Sequence, residues 1–272
     1  MEAGKPELDA HWTSWLRHSM KMGVDLVELL ETLRKQGFSD KAIAAGFDAV
    51  RPKNDCTDES FSPPLLRRNP PGLKRFDDPR VELYTYDEFL SRRECERLVG
   101  LIDHHLKPST VSFDNGDKGF RTSQTSHLSH LRSPVAVGID EKICKTLGIR
   151  ADYSEGIQAQ RYDVGQQFKP HWDYYEPGTH VYQRFASVRG NRTWTFMVYL
   201  NIVTAGGGTR FPSLGHDFQP KRGMALAWNN LYADGTPNYN TLHAGLPVEA
   251  GHKVIITKWF RERGAGEMFY SD

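Results

Sequence analysis

The stretch WTFMVYLN, Trp194 to Asn201, alternates throughout: Trp194, Phe196, Val198 and Leu200 fall on one face, and Thr195, Met197, Tyr199 and Asn201 on the other. A period of two is that of a β-strand. Gly206-Gly207-Gly208 interrupts it, and MALAWNN (Met224 to Asn230) and KVIITKWF (Lys253 to Phe260) read as two more short strands. From Gly156 onward the signal is β throughout. Short strands divided by Gly and Pro turns are the pattern of a sandwich or jelly roll.

Upstream, the pattern is helical. Trp12, Trp15, Leu16 and Met20 sit at helical spacing, as do Leu26, Leu29, Leu30 and Leu33. Gly37 is placed as a C′ residue, and Ser39 as the N-cap of a helix carrying Ala42, Ile43 and Phe47. Residues 1–50 are therefore expected to form a helical hairpin, an appendage that packs on the main domain or on another subunit. Residues 51–80, with Pro52, Pro63, Pro64, Pro70, Pro71 and Pro79, read as an extended linker, and 81–272 as the main domain. Within that domain EFLSRRECERLVGLIDHHL, Glu88 to Leu106, is a helix with Ser91 as N-cap and Glu94 completing a capping box.

Composition excludes several classes. The chain has 272 residues, 38% hydrophobic and 25% charged, with a formal net charge of +1. That balance gives no field favouring nucleic acid or an acidic membrane. No apolar run reaches the roughly 18–20 residues of a membrane span, and the N-terminus lacks the apolar core of a secretory signal. Cys56, Cys95 and Cys144 form neither a CxxC pattern nor a disulfide framework, so a cytoplasmic location is expected.

The chemistry concentrates in KPHWDYY, Lys169 to Tyr175. In a strand, His171 and Asp173 project to the same side, so an imidazole nitrogen and a carboxylate oxygen can occupy neighbouring positions on one face of a metal. With a second histidine this becomes a facial triad that leaves other positions open. HAGLPVEAGHK supplies His243 together with Lys253, which begins a strand with Ile255 and Thr257 on its own face. If that face is interior, the ammonium is buried, and burying it without an anionic partner is costly. A bound carboxylate is the expected partner, with Thr195 as a second donor to it.

RYDVGQQFKPHWDYY, GNRTWTFMVYLN, GGGTRFP, PKRGMALAWNNL and HAGLPVEAGHKVIITKWFRER, in this order, resemble the catalytic domain of the prolyl 4-hydroxylase family of Fe(II)/2-oxoglutarate-dependent dioxygenases. The resemblance runs from about Val81 to Glu262. It implies an α+β, mainly β fold: a double-stranded β-helix (jelly roll) with supporting helices. It implies iron held by His171, Asp173 and His243, and 2-oxoglutarate anchored by Lys253 and Thr195 with Tyr162 nearby. It further implies release of succinate and CO2, use of molecular oxygen, support by ascorbate (vitamin C), and hydroxylation of a prolyl residue in a peptide or protein.

FRTSQTSHL (Phe120 to Leu128) resembles the family segment that shapes the peptide groove, with Arg121 and Ser123 at substrate-contacting positions. Two departures concern the substrate side: Phe168 stands where the family has tyrosine, and Val254 where many members have tryptophan. Hydroxylation of a free amino acid or other small molecule therefore stays open. A non-enzymatic cupin-like module or a zinc hydrolase is a remoter reading, because zinc hydrolysis has no use for an interior lysine. The remaining histidines are expected outside the site, and Trp172 is expected to point away from the metal. Residues 176–190 read as a lid or as an ordinary surface loop. The apolar faces of the first helices must be covered by the main domain or by a second copy, giving a possible homodimer. Because the expected cofactor residues lie at or beyond Tyr162, loss of residues 1–50 is expected to spare turnover of 2-oxoglutarate without a prime substrate.

Overall fold

Alternating apolar residues in the second half of the chain build the centre of two antiparallel sheets, with short strands from Lys74 onward added at the edges of the larger one. The structure, a computed structural model, describes residues 5–21, 24, 26–50, 72–109, 119–128 and 133–270. Three helices come first: α1 (Ala10–Lys21), α2 (Leu26–Lys35) and α3 (Asp40–Val50). Next are β1 (Lys74–Arg75), β2 (Leu83–Tyr86), α4 (Arg92–Asp103), β3 (Lys107–Pro108), β4 (Gln124–His127) and α5 (Pro134–Leu147). The remainder comprises β5 (Gln158–Tyr162), β6 (Phe168–His171), α6 (His180–Ala186), β7 (Arg192–Tyr199), β8 (Ala205–Gly206) and β9 (Thr209–Phe211). It closes with β10 (His216–Phe218), β11 (Ala225–Asn229), β12 (His243–Gly245), β13 (Val248–Ala250) and β14 (Lys253–Arg261).

The larger sheet has the order β1-β2-β11-β7-β14-β5-β4-β3, and the smaller β10-β9-β12-β6. Their named pairings are antiparallel, and β8 and β13 form a separate two-stranded ribbon. This is the jelly roll expected from the strand pattern. The alternation in β7 holds residue by residue: Trp194, Phe196, Val198 and Leu200 join Val254, Ile256 and Phe260 of β14 in a core covered by α4 and α5. The opposite face places Met197, Tyr199 and Ile255 against Phe211 and Phe218 of the smaller sheet. One side of the large sheet is thus closed by helices, and the other faces the second sheet and the cleft between them.

Helix α4 begins where its capping box requires. The Ser91 hydroxyl accepts from Glu94 N, and Glu94 Oε2 accepts from Ser91 N at 2.7 Å. The helix ends at Asp103, ahead of Pro108. Helix α5 carries only local signals in the sequence: Ser133 before a proline at its start, and Gly148 in the left-handed conformation (φ +72°) at its end. No described helix is long and apolar enough to cross a membrane.

The hairpin expected over 1–50 is instead a three-helix unit. Its first apolar run divides into α1 and α2, with Gly23, a poor helix former, between them in sequence. Ser39 caps α3 as expected, accepting from Ala42 N at 3.1 Å, and Gly37 takes φ +84°. The unit does not stand apart: Leu16, Leu29, Leu30, Leu33, Ile43 and Phe47 share a buried cluster with Trp172, Tyr174, Leu231, Tyr239 and Leu242. Of the stretch 51–80, residues 51–71 lie outside the described residues, and β1 occupies part of the rest.

Ile256→Ala removes a fully buried side chain from β14 and is expected to cost about 2–5 kcal/mol, whereas Ser91→Ala is expected to cost about 1 kcal/mol. Urea denaturation of the two variants checks this; equal losses would show that the core of the large sheet is not where stability resides.

Candidate active site

His171 ends β6 and His243 opens β12, and the antiparallel register sets the two directly opposite each other. Asp173 follows two residues after His171. Its Oδ1 lies 3.8 Å from His171 Nε2, and its Oδ2 lies 3.8 Å from His243 Nε2. One ligand atom from each of the three lies within 4.8 Å of the others, the one such cluster among the described residues. Backbone carbonyls fix both imidazoles: His171 Nδ1 is 2.8 Å from Lys169 O, and His243 Nδ1 is 2.9 Å from Thr241 O. A carbonyl only accepts, so each Nδ1 carries the proton and each Nε2 offers its lone pair to the common centre.

Protonation favours the same outcome. Burial, followed by the neighbouring His243, pushes His171 down to about 3, so its ring is neutral. Burial alone would raise the Asp173 carboxyl, but the two imidazoles, Arg192 and the Thr195 hydroxyl hold it below the usual carboxylate range. Two imidazole nitrogens and one carboxylate oxygen on one face, with cleft beyond them, form the donor set of a non-haem iron(II) centre.

Thr195 is not at the co-substrate end, where it was expected. Its hydroxyl donates to Asp173 Oδ2 at 2.7 Å and accepts from Asn230 Nδ2 at 2.8 Å, while Trp228 Nε1 donates to Asn230 Oδ1 at 3.0 Å. These bonds form a directed chain that ends on the ligand carboxylate. The register of β7 with β11 explains it, since Thr195 lies opposite Trp228 near the metal end of the strand.

Lys253 shares the cleft-lining face of β14 with Ile255 and Thr257 and is interior, with 1% of its surface exposed. Its Nζ donates to Gly207 O at 2.9 Å and sits 4.8 Å from the Tyr162 ring centre, and no carboxylate among the described residues pairs with it. Burial alone pushes the ammonium down to about 7. A Cβ on Gly245 would come 3.4 Å from Nζ, so glycine there leaves the ammonium room for a ligand. Thr209, opposite Gly245 in the register, lines the same cleft, and its Oγ1 accepts from Tyr199 OH at 2.6 Å. Thr209 thus offers a hydroxyl along the cleft, whereas Thr195 does not line it. Thr209 sits in the quoted GGGTRF stretch, but nothing in the local pattern separates it from Thr195.

The open cleft, about 430 Å³, runs from Lys253 past the triad to Arg121, Gln160, Thr257 and Trp259. Arg121, Ser123 and Tyr162 are brought together: Arg121 Nε donates to Ser123 Oγ at 3.2 Å, and the Tyr162 hydroxyl bonds with both. Phe168 stacks on His171 with ring centres 3.5 Å apart, and the Arg121 guanidinium lies 4.9 Å from the centre of the Phe168 ring. Of the two departures, only Phe168 therefore lines the cleft. Val254 faces the helix-covered core, because neighbouring residues of β14 point to opposite sides.

Arg192 was not foreseen from sequence. It grips Glu155 through two bonds of 2.7 and 2.8 Å and reaches Asp173 O at 3.4 Å. Burial opposes both charges, yet the pairing raises Arg192 and, with Arg261, holds Glu155 down to about 2. The segment 176–190 carries α6 and is tied down: Arg261 Nη2 donates to Phe185 O and, at 2.6 Å, to Gly190 O, and Arg189 donates to Asp152 O at 2.6 Å. Those ties match an anchored surface segment. Among the described histidines, none besides His171 and His243 joins a metal-holding cluster.

Comparison with known proteins gives the same picture. Residues 157–261 match the family model described as the 2OG-Fe(II) oxygenase superfamily. The chain carries a prolyl 4-hydroxylase-like 2OG-Fe(II) oxygenase domain. It is 34% identical over 196 residues to human prolyl 4-hydroxylase subunit alpha-1, covering 70% of this chain and 36% of that protein. It is 33% identical over 215 residues to mouse prolyl 4-hydroxylase subunit alpha-3, covering 77% of this chain and 39% of that protein. The chain thus spans little more than a third of the length of these relatives. Among solved structures, a viral collagen prolyl hydroxylase from Paramecium bursaria Chlorella virus-1, as its 2OG complex, aligns with a TM-score of 0.53 at 26% identity. That alignment covers 66% of this chain and 95% of the viral one. The oxygenase domain fits its cofactors at both ends of the cleft: the triad offers deprotonated donors to iron(II), and Lys253 offers an ammonium to a carboxylate.

A carboxylate beside Lys253 raises its pKa above the ligand-free value of about 7, so above that pH the complex holds a proton that the free protein has lost. Affinity for 2-oxoglutarate is therefore expected to be level below about pH 7 and to fall about tenfold per pH unit above it. Lys253→Met is expected to flatten that slope and to weaken binding roughly ten- to a few-hundredfold at neutral pH. Titrations between pH 6 and 9, monitored by calorimetry at fixed metal, check both; an affinity left unchanged by Lys253→Met would rule out Lys253 as the anchor. Thr195→Val is expected to weaken metal binding about ten- to a hundredfold. If it instead weakens 2-oxoglutarate binding with metal affinity unchanged, the hydroxyl acts at the co-substrate end after all.

Proposed function

We propose that this chain is an Fe(II)- and 2-oxoglutarate-dependent dioxygenase that hydroxylates a prolyl residue, at its 4-position, in a peptide or protein. The observation that carries the reading is the meeting in one cleft of the His171–Asp173–His243 face and the buried ammonium of Lys253. When bound, iron(II) and 2-oxoglutarate would supply the oxidation, in which one oxygen atom goes to a C–H bond and the other to succinate as CO2 leaves. Ascorbate would support repeated turnover.

The chain's own residues bind, orient and enclose. Lys169 O and Thr241 O hold the imidazole protons on Nδ1, leaving each Nε2 directed inward. The Trp228–Asn230–Thr195 chain sets the Asp173 carboxylate, and Arg192 donates to the backbone carbonyl of the same residue. Lys253 would hold the far carboxylate of the co-substrate, with Thr209 lining the same cleft. Phe168 and Trp228 pack on the imidazoles and keep water from the inner side of the centre.

The polar end of the cleft, with Arg121, Gln160 and Thr257, supports a substrate rich in hydrogen-bonding groups, as a peptide backbone is. The similarity to proteins named prolyl 4-hydroxylase and collagen prolyl hydroxylase supports proline as the residue acted on.

With iron(II), 2-oxoglutarate and air, proline-rich peptides are expected to gain the mass of one oxygen atom on proline while an equal amount of succinate forms. His171→Ala and Asp173→Ala are expected to abolish both. Tandem mass spectrometry and a succinate assay check this. Succinate formation with oxidation of a free amino acid, and none of peptides, would transfer the activity to small molecules; no succinate at all would defeat the oxygenase reading.

A further inference from the structure

The three-helix unit lies against the backs of both ligand-bearing segments. Trp172, between His171 and Asp173, turns away from the cleft and donates through Nε1 to Tyr239 O at 2.9 Å. Phe47 of α3 closes on this pair, with its ring 5.0 Å from Trp172 edge-on and stacked 5.2 Å from Tyr239. Tyr239 opens the single 3₁₀ turn Tyr239–Thr241, whose last carbonyl holds the Nδ1 proton of His243. One residue further along α3, Asp48 accepts from Tyr232 OH at 2.5 Å, and that hydroxyl accepts from Asn240 Nδ2 at 2.9 Å. Helix α3 also packs on the turn Pro212–Leu214, directly after Phe211, whose ring stacks on His243.

We infer that the N-terminal helical unit is a positioning element of the metal centre, acting through Phe47 and the Asp48–Tyr232–Asn240 bonds. The inference rests on the metal-site reading above and adds residues that touch neither metal nor substrate. The physical reason is that the ligand segments on this side are short. Three residues of β12 and four of β6 pair across an irregular register, so the sheet alone gives them little stiffness. A fully buried aromatic wedged between Trp172 and Tyr239 fixes the distance between the HxD segment and the His243 turn. Loss of residues 5–50 would thus strip metal affinity, in contrast to the expectation from sequence that those residues are dispensable for turnover of the co-substrate.

The test is a titration of the full chain with cobalt(II) alone, read by visible absorption, with circular dichroism confirming the fold at the same temperature. Phe47→Leu, Phe47→Ala and Tyr232→Phe are compared with Leu33→Ala, which cuts the core of the same helical unit on α2. The Phe47 variants are expected to bind cobalt(II) about tenfold or more weakly, and Tyr232→Phe more weakly than the parent protein, with Leu33→Ala binding as the parent does. Should Phe47→Ala fail to fold, Phe47→Leu and Tyr232→Phe decide on the same terms. Parent-like binding in these variants, or an equal loss in Leu33→Ala, would overturn the inference, the second by reducing the effect to general stability. If the parent binds cobalt(II) no better than His171→Ala, the triad reading itself falls, and this inference with it.

Discussion

The pairing of β12 with β6 is the constraint on which the site depends. It brings His243 opposite His171 although the two are far apart in the chain, and Asp173 follows from the same segment. Everything around that pair stabilises a geometry that the ligands alone would oppose. Two imidazoles and a carboxylate drawn together under cover lose hydration, and Lys169 O, Thr241 O and the Thr195 hydroxyl replace it with fixed dipoles. These hydrogen bonds orient all three ligand groups toward the common centre.

The other end of the cleft is built on the opposite principle. Among the described residues Lys253 has one carbonyl acceptor for its ammonium, and burial disfavours its charge. A group held in this way is poorly satisfied until a carboxylate arrives. The cleft thus pairs a pre-satisfied metal face with an unsatisfied cation, and a ligand must address both. That combination distinguishes a 2-oxo acid from a simple monoanion.

Much of this was legible in the sequence because β periodicity is local. The alternation of β7 and β14 showed which residues share a face, and placed Lys253 with Ile255 and Thr257; that this face lines the cleft came from the fold. The triad was legible through the order and spacing of the motifs that carry the family resemblance; β6 ends at His171, so Asp173 reaches the centre from just beyond the strand and not from its face. Thr195 could not be settled this way, since the strand pattern gives the face but not the height along it. Whether a hydroxyl meets Asp173 or Lys253 depends on the register with β11. Arg192 was hidden because its partner Glu155 lies in a distant loop. The role of α3 was hidden because an apolar helix face in sequence does not say what it covers.

Strand β14 carries both halves of the molecule at once. On one side it presents Lys253, Ile255, Thr257 and Trp259 along the cleft; on the other Val254, Ile256 and Phe260 complete the helix-covered core. The strand acts as a ruler, with its divisions about 6.6–6.8 Å apart for every second residue, setting the distance from the anion end to the far mouth. Such a ruler tolerates exchange of its marks far better than a change in their number. One inserted or deleted residue would turn the lysine into the core and an isoleucine or valine into the anion site. Length variation among proteins built on this plan should therefore collect in the loops flanking the strand and spare the strand itself.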